Sequence, residues 1–399
     1  MSDLTNPLKI GVVCYPTRGG SGVVAVELAH RMADRGHRVF VVSYAQPPKL
    51  NILHENISFH PVRVPDYPLF EYPPYSLALA AQLSEVISNH KLDLVHVHYA
   101  LPHALSAWMA RKIAGREDLP IITTLHGTDI TIVGNDPSYL NVTRYSVEVS
   151  TSVTAVSNWL SKRVNEVVDC ECDTKVIYNF IDTEKFAPGE TEMTRKLREV
   201  QNSPVLIHLS NFRPVKRIDD VIEIFFRVRS KMPVRLLMIG DGPDRSAAEA
   251  KVNASPWKND VHFLGDHDAA EEVLPGGDLM LFPTDSESFG LAALEAMACG
   301  VPVIGAKAGG LPEVVEDGIS GRLFQVGDVE GMANAALEIL SDRTTLATMS
   351  AAARKTAVDK FKADVIVQQY EHLYRTSIEK ARQEMNARNS TAIDNTVIH

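Results

Sequence analysis

Residues Leu8–Cys14 read LKIGVVC, the turn Arg18-Gly19-Gly20-Ser21-Gly22 follows, and the amphipathic stretch Gly22–Asp34 leads through Arg35-Gly36 to Arg38–Tyr44, RVFVVSY. A continuous β-branched apolar run suits a strand covered on both faces, whereas a strand with one wet face would alternate. Strand, glycine turn, helix and strand in that order predict a parallel sheet with right-handed crossovers. The alternation continues through Asp93–Tyr99 (DLVHVHY), Pro120–Leu125 (PIITTL) and Thr151–Val156 (TSVTAV). It restarts after a polar stretch at Pro188–Ser203, with Val205–Ser210 (VLIHLS), a helix at Ile218–Arg229 and Val234–Gly240 (VRLLMIG). Val261–Leu264, Asp278–Pro283 and Val301–Gly305 complete the second series. The fold class is therefore α/β, with two Rossmann-like domains expected to face each other across a cleft. Open parallel sheets bind ligands beyond the carboxyl ends of their strands, so the site is expected there.

The predicted domains span residues 1–185 and 186–362. A long final helix, read over Phe361–Met385 and assigned to 363–386, is expected to cross back to the first domain. The tail 387–399 lacks periodicity and is expected to be disordered. The 399 residues exceed the ~250–300 at which single cores stop growing, in keeping with two domains. A composition of 45% hydrophobic and 23% charged residues suits a globular protein. With 40 Lys+Arg against 50 Asp+Glu, the net charge of −10 argues against a general binder of nucleic acid or anionic membrane. No apolar run approaches the ~18 residues of a membrane span, and Asp3, Asn6 and Pro7 do not resemble a leader, so a cytoplasmic protein is expected. Cys14, Cys170, Cys172 and Cys299 lack metal-ligand spacing and are expected to be reduced bystanders.

Four motifs lie at predicted strand ends. The Gly19–Gly22 turn opens a helix, where bare amides attract an anion, although a plain tight turn reads the same way. It makes a poor nicotinamide fingerprint, because Val42-Ser43-Tyr44 ends the second strand where a ribose-binding acid would stand. Thr123–Asp129 (TTLHGTD) sets His126 to donate to a hydroxyl or polarise a reacting group. Ser210–Arg217 (SNFRPVKR) brings Arg213 and Lys216 to phosphate oxygens, one as a fork and one as a point charge. Asp285–Glu295 (DSESFGLAALE) places Glu287 at the turn into a helix expected to begin near Ser288, with Glu295 about two turns further on and both acids able to face the same side. Carboxylates hold sugar and ribose hydroxyls, and the amides around Phe289, Gly290 and Leu291 are helix-start donors suited to a diphosphate. Gly240-Asp241-Gly242-Pro243 ends the next strand as a tight turn, which plain turn chemistry and a role at the site explain about equally well. His96 and His98 share one strand face without nearby acids, so no metal role is expected, and Tyr99 beyond them is the better ligand candidate.

Together these motifs resemble the retaining glycosyltransferases of family four, which have the two-domain GT-B fold and paired glutamates. The resemblance runs from Leu8 to about Lys380. VCYPTRGGSGVVAVELAHRMADRGH, VSYAQPPKL, VPDYPLFEYPPYSLALA, HVHYALPHALSAW and TTLHGTDIT resemble the branch that transfers GlcNAc from UDP-GlcNAc to L-malate, the first step of bacillithiol biosynthesis. Val26 and Ala29 depart from it, standing where Thr and Gly are expected. The resemblance implies an acceptor-side first domain and a nucleotide-sugar-binding second one. It implies that Glu295 holds the uridine ribose, Glu287 the sugar hydroxyls, and Arg213 and Lys216 the diphosphate, with Gly20, Phe289, Gly290 and Leu291 on the donor and His126 near the sugar. Candidates for the malate carboxylates are Gly19, Gly20, Ser21, Tyr99, Thr124 and Arg144.

No Asp-x-Asp motif is read at a strand end to hold a divalent ion, so metal-independent transfer with no cofactor is expected, Arg213 and Lys216 taking the place of the ion. The expected partners are the two small substrates, without nucleic acid or membrane, and a homo-oligomer is left open. A related transferase with an inositol phosphate or glycan acceptor, a UDP-GlcNAc epimerase and a non-catalytic nucleotide-sugar binder are the competing readings.

Overall fold

A computed structural model describes residues 6–64, 68, 71–169, 172–189, 195, 203–266 and 269–396, with side chains as far as residue 388. The chain divides into two compact units, Met1–Tyr178 with Asp364–His399, and Asn179–Ala363. Both are α/β with wholly parallel sheets.

In the first unit the strands are β1 (Lys9–Val13), β2 (Arg38–Ser43), β3 (Ile57–Pro61), β4 (Leu94–His98), β5 (Ile121–Leu125), β6 (Ser152–Ala155) and β7 (Thr174–Val176), arranged β3-β2-β1-β4-β5-β6-β7. The chain begins in the middle, winds to one edge and returns to β4. The loops leaving β1 and β4 therefore diverge, which opens a crevice at the carboxyl ends of the strands. Val13, Val42, Val95 and Val97 are buried under Leu79, Leu83 and Ile87 of the helix Tyr75–His90.

The second unit repeats the plan with β8 (Val205–Leu209), β9 (Arg235–Ile239), β10 (Val261–Gly265), β11 (Leu279–Phe282), β12 (Val303–Ala306) and β13 (Gly321–Phe324), arranged β10-β9-β8-β11-β12-β13. Its crevice lies between the loops leaving β8 and β11. The helix Ile218–Arg229 buries Ile218, Val221, Ile222, Phe225 and Val228 at helical spacing, against Leu206, Leu236 and Met238 of the sheet.

The short β3, β7 and β13 are absent from the sequence reading. Their burial is partial, so their side chains do not form the continuous apolar run that marks an inner strand. The final helix also needs correction. One helix ends at Phe361, Lys362 adopts extended backbone, and a new helix runs from Ala363 to Thr396. The break is held by Ile181, whose N–H donates to the Phe361 carbonyl at 2.9 Å and whose carbonyl accepts from Ala363 at 3.1 Å. The second helix belongs to the first unit and buries Ile366, Val367, Tyr370, Leu373, Tyr374 and Ser377. It continues well past the expected start of a disordered tail at Ala387, since nothing between there and Thr396 is Gly or Pro. Residues 397–399 lie outside the described residues.

Cys14 and Cys299 are free and buried, but Cys172 is disulfide-bonded, which corrects the expectation of reduced thiols. Cys170 lies outside the described residues, as does most of the expected junction at 188–203. No helix among the described residues is long and apolar enough to cross a membrane.

Candidate active site

In the second unit, two loops carry the expected donor-binding residues and are fastened to each other. After β8, Phe212 takes a positive φ of 38° with its ring fully buried, anchoring the loop. Gly240 and Gly242 press on it from the next turn: a Cβ at these positions would stand 1.8 Å from the Ser210 carbonyl oxygen and 2.1 Å from that of Asn211. This contact explains the Gly-Asp-Gly turn. Beyond it, Arg213 is exposed and Lys216 leaves a single 3-10 turn, Pro214–Lys216. The Val215 carbonyl accepts from the Asp285 N–H and the Thr284 hydroxyl, both at 2.9 Å, joining this loop to the one after β11. Arg217 adds ion pairs to Asp220 at 2.6 Å and Asp285 at 2.8 Å.

These ties bring Lys216 and Glu287 together. The ammonium donates to Glu287 Oε2 at 2.6 Å, each side chain is 17% exposed, and the ammonium lies 5.4 Å from the centre of the Phe282 ring. The two groups, expected to meet a diphosphate and sugar hydroxyls, thus neutralise each other. Glu287 stands in the loop before the helix, whose start is later than the position near Ser288 that was expected. Gly290 adopts φ 106° and the helix begins at Leu291, because a left-handed residue interrupts helical backbone. Phe289 is buried and packs edge-on against Phe361 at 5.5 Å, while Leu291 and Glu295 are half-buried.

A further element was missed. Gly309 and Gly310 follow β12, and the Gly310 N–H donates to the Glu287 carbonyl at 2.7 Å. Gly309 has φ 60°, and a Cβ there would stand 1.9 Å from that carbonyl oxygen. The string Ala308-Gly309-Gly310 at a strand end was its signal in the sequence. Asp266-His267-Asp268 is an Asp-x-Asp string that the sequence reading passed over; it follows the edge strand β10, and its last two residues lie outside the described residues.

In the first unit, Gly19 and Gly20 are exposed with open space around them, and the helix begins at Ser21. Gly22 is required for contact: a Cβ would meet Thr17 Oγ1 at 2.5 Å and the Tyr15 carbonyl at 2.9 Å. Ser21 is buried, so of the four residues in this turn the two leading glycines are the open ones. Tyr99 follows β4 with φ 86°, a strained backbone for a tyrosine, and its ring lies 5.4 Å from both Tyr15 and His126. The Thr128 hydroxyl donates to the Tyr99 hydroxyl at 3.3 Å.

The loop after β5 is organised by Asp129, a residue quoted in the motif but given no role. Its buried carboxylate accepts from the N–H groups of Gly127 at 2.8 Å, His126 at 3.3 Å and Ala100 at 3.4 Å, tying this loop to the one after β4. Burial pushes the Asp129 carboxyl up to about 6, against the pull of those amides. Burial also pushes His126 down to about 3, so its imidazole is neutral at physiological pH and acts as a hydrogen-bonding group rather than a cation. His126 Nε2 meets His98 Nδ1 at 2.9 Å.

Two candidate acceptor residues are placed elsewhere. The Thr124 hydroxyl is fully buried between His96 Nε2 and Thr154 Oγ1, each at 2.7 Å, and His96 Nδ1 in turn meets the Tyr374 hydroxyl at 2.7 Å. Thr124 therefore joins the sheet to the final helix and presents nothing to a ligand, because an inner-strand side chain of this register faces the helix layer. The Arg144 Nε donates to the Val168 carbonyl at 2.6 Å and Nη2 lies 3.5 Å from Asp169, so its guanidinium closes the carboxyl end of the helix Asn158–Val168. That task uses the fork expected to hold a dicarboxylate.

The Glycosyltransferase Family 4 profile matches residues 18–185, and the Glycosyl transferases group 1 profile matches residues 189–356. The N-acetyl-alpha-D-glucosaminyl L-malate synthase of Bacillus anthracis is 44% identical over 368 residues, covering 92% of this chain and 96% of that protein. The chain belongs to this synthase family. Solved structures bear out the GT-B fold of the family in this member. A glycosyltransferase from Rickettsia africae superposes with a TM-score of 0.79 at 20% identity, covering 94% of this chain and 99% of its own. Anabaena Alr3699/HepE, in complex with UDP and glucose, superposes with a TM-score of 0.77 at 23% identity, covering 92% and 99%. Membership of the synthase family makes the chain a hexosyltransferase.

Proposed function

We propose that the chain transfers GlcNAc from UDP-GlcNAc to the hydroxyl of L-malate with retention of anomeric configuration, as the first step of bacillithiol biosynthesis. The single observation that carries this reading is identity with the malate synthase at 44% over nearly the whole of both chains. The residues above fit the chemistry. Breaking the glycosidic bond places negative charge on UDP and positive charge on the sugar ring. Lys216 and Arg213 stabilise the leaving diphosphate, assisted by the amides at Phe289, Gly290 and Leu291, and such preorganised charge is usually the largest catalytic contribution. When the diphosphate takes up Lys216, the Glu287 carboxylate is released to accept from sugar hydroxyls, so donor binding exchanges one partner of the pair for another. Glu295 holds the ribose.

On the acceptor side, the open amides at Gly19 and Gly20 and the hydroxyl of Tyr99 receive the malate carboxylates, and His126 donates to the sugar. Attack occurs from the face that UDP leaves, with a departing phosphate oxygen taking the proton of the malate hydroxyl. These cations make a divalent ion unnecessary, so transfer is metal-independent. UDP release measured with L-malate, with inositol phosphate and without acceptor tests the reading. It requires turnover only with malate. Turnover with inositol phosphate alone would reassign the acceptor, and consumption of UDP-GlcNAc without any acceptor would favour an epimerase or hydrolase.

A further inference from the structure

Three buried histidines of the first unit lie near His126: His96 and His98 on β4, and His103 in the turn after it. His98 is fully buried on β4, its ring stacked at 4.5 Å on His96 and 5.1 Å from His126. Its Nδ1 meets His126 Nε2 at 2.9 Å, while its Nε2 has no partner among the described residues. His103 is also fully buried, and its Nδ1 lies 2.5 Å from the His98 carbonyl. A carbonyl only accepts, so His103 must carry its proton on Nδ1. Its unpartnered Nε2 is therefore a bare lone pair.

Burial holds His98 well below the ordinary imidazole range, with the neighbouring histidines acting in the same direction, so it is neutral and carries one proton. Two arrangements satisfy the 2.9 Å contact. In one, His98 donates from Nδ1 and leaves a bare lone pair at its buried Nε2, as His103 does. In the other, His126 donates from Nε2 and His98 buries an orphaned N–H. Orphaned buried N–H groups are rarer in proteins than under-satisfied acceptors, which selects the first.

We propose that His98 is a positioning residue that fixes His126 as its Nδ1–H tautomer. His98 Nδ1–H donates to His126 Nε2, so the proton of His126 is on Nδ1, the ring nitrogen that this contact leaves available as a neutral donor. An Nε2–H tautomer would instead offer substrate a lone pair there. This rests on the proposed placement of His126 beside the substrates. The His96–Thr124–Thr154 and His96–Tyr374 contacts support His98 from behind through the stacked His96 ring.

The test is 15N NMR of histidine-labelled full-length protein, with the His126 resonances assigned by their loss in His126→Gln. Protonated Nδ1 and accepting Nε2 are expected; a proton on His126 Nε2 would overturn the proposal. Two variants supply the kinetic readout. His98→Asn keeps an amide donor near the position of Nδ1, and His98→Leu removes it. We expect kcat within about threefold of the parent for Asn and a loss of about tenfold for Leu, the scale of one hydrogen bond, at matched thermal stability. Equal losses in both would overturn it by assigning His98 to packing. If neither variant folds, the spectrum of the unaltered chain still decides. Full activity in His126→Gln would instead refute the placement of His126, an outcome separate from the tautomer.

Discussion

Replacing Lys216 with Met separates its catalytic and structural parts. Lys216 and Glu287 meet at 2.6 Å, with 17% of each side chain exposed. Breaking a wholly buried pair costs ~3–5 kcal/mol and an exposed pair contributes ~0–1, so removing one partner here is expected to cost about 2 kcal/mol in stability. Most of that is the cost of leaving the Glu287 carboxylate without its cation. The activity loss has another origin. Deleting one preorganised group at a developing charge lowers kcat by about 10²–10³, or about 2.7–4 kcal/mol. The two effects part in the double variant Lys216→Met/Glu287→Gln, where no uncompensated charge remains. Urea unfolding should show stability recovered to within about 1 kcal/mol of the parent. Steady-state UDP release should show kcat still depressed, since Gln restores nothing at the diphosphate. A single variant with kcat within threefold of the parent would refute the leaving-group role. A double variant no more stable than Lys216→Met would refute the assignment of the stability loss to the orphaned carboxylate.

Transfer should proceed at nearly the parent rate in EDTA, because Arg213 and Lys216 supply the positive charge; loss of most activity, restored by magnesium or manganese, would contradict that. Gly309→Ala should cost about 1–3 kcal/mol in stability and lower kcat, since its Cβ would stand 1.9 Å from the carbonyl oxygen of Glu287 at φ 60°; a variant with parental unfolding and kinetics would refute the contact. Arg144→Ala should lose about 1 kcal/mol of stability through the Val168 hydrogen bond, with little change in the malate KM; a raised malate KM at unchanged stability would return Arg144 to the acceptor site. Acidification should destabilise the fold. His96 and His126 are held at about 3 and His103 and His208 at about 4, all by burial. A base with a depressed folded pKa contributes stability that is present above its unfolded value near 6.5 and lost as pH falls, by on the order of 1–2 kcal/mol each by pH 5. Asp129, raised to about 6, opposes this below that pH, so urea midpoints should fall less steeply than four histidines alone would dictate. Flat stability between pH 7 and pH 5 would contradict the burial of these rings.

The inner strands were legible because β1, β4, β8 and β11 are buried on both faces and read as unbroken apolar runs. The edge strands β3 and β7 were not, since half-exposed residues such as Ser58 and His60 and the exposed Lys175 give no periodic signal. The paired acids, the cations after β8 and His126 were legible as charged or polar groups at strand ends. What local sequence could not carry was which polar group satisfies another. Thr124 reads as a strand-end ligand until His96 and Thr154 close on it, with His96 held in turn by Tyr374, which arrives from 250 residues further along the chain. Arg144 reads as a dicarboxylate partner until the end of a neighbouring helix claims it. Gly309 reads as a loop glycine until the carbonyl of Glu287 is found beneath it.

The central claim is the reaction itself, and one measurement addresses it most directly. The chain is incubated with UDP-GlcNAc and L-malate, and the product is examined by mass spectrometry and by proton NMR of its anomeric centre. A GlcNAc–malate adduct with the α configuration of the donor, formed together with free UDP, is the predicted result. A β-configured adduct would contradict retention, and UDP release without any malate adduct would contradict the assigned acceptor.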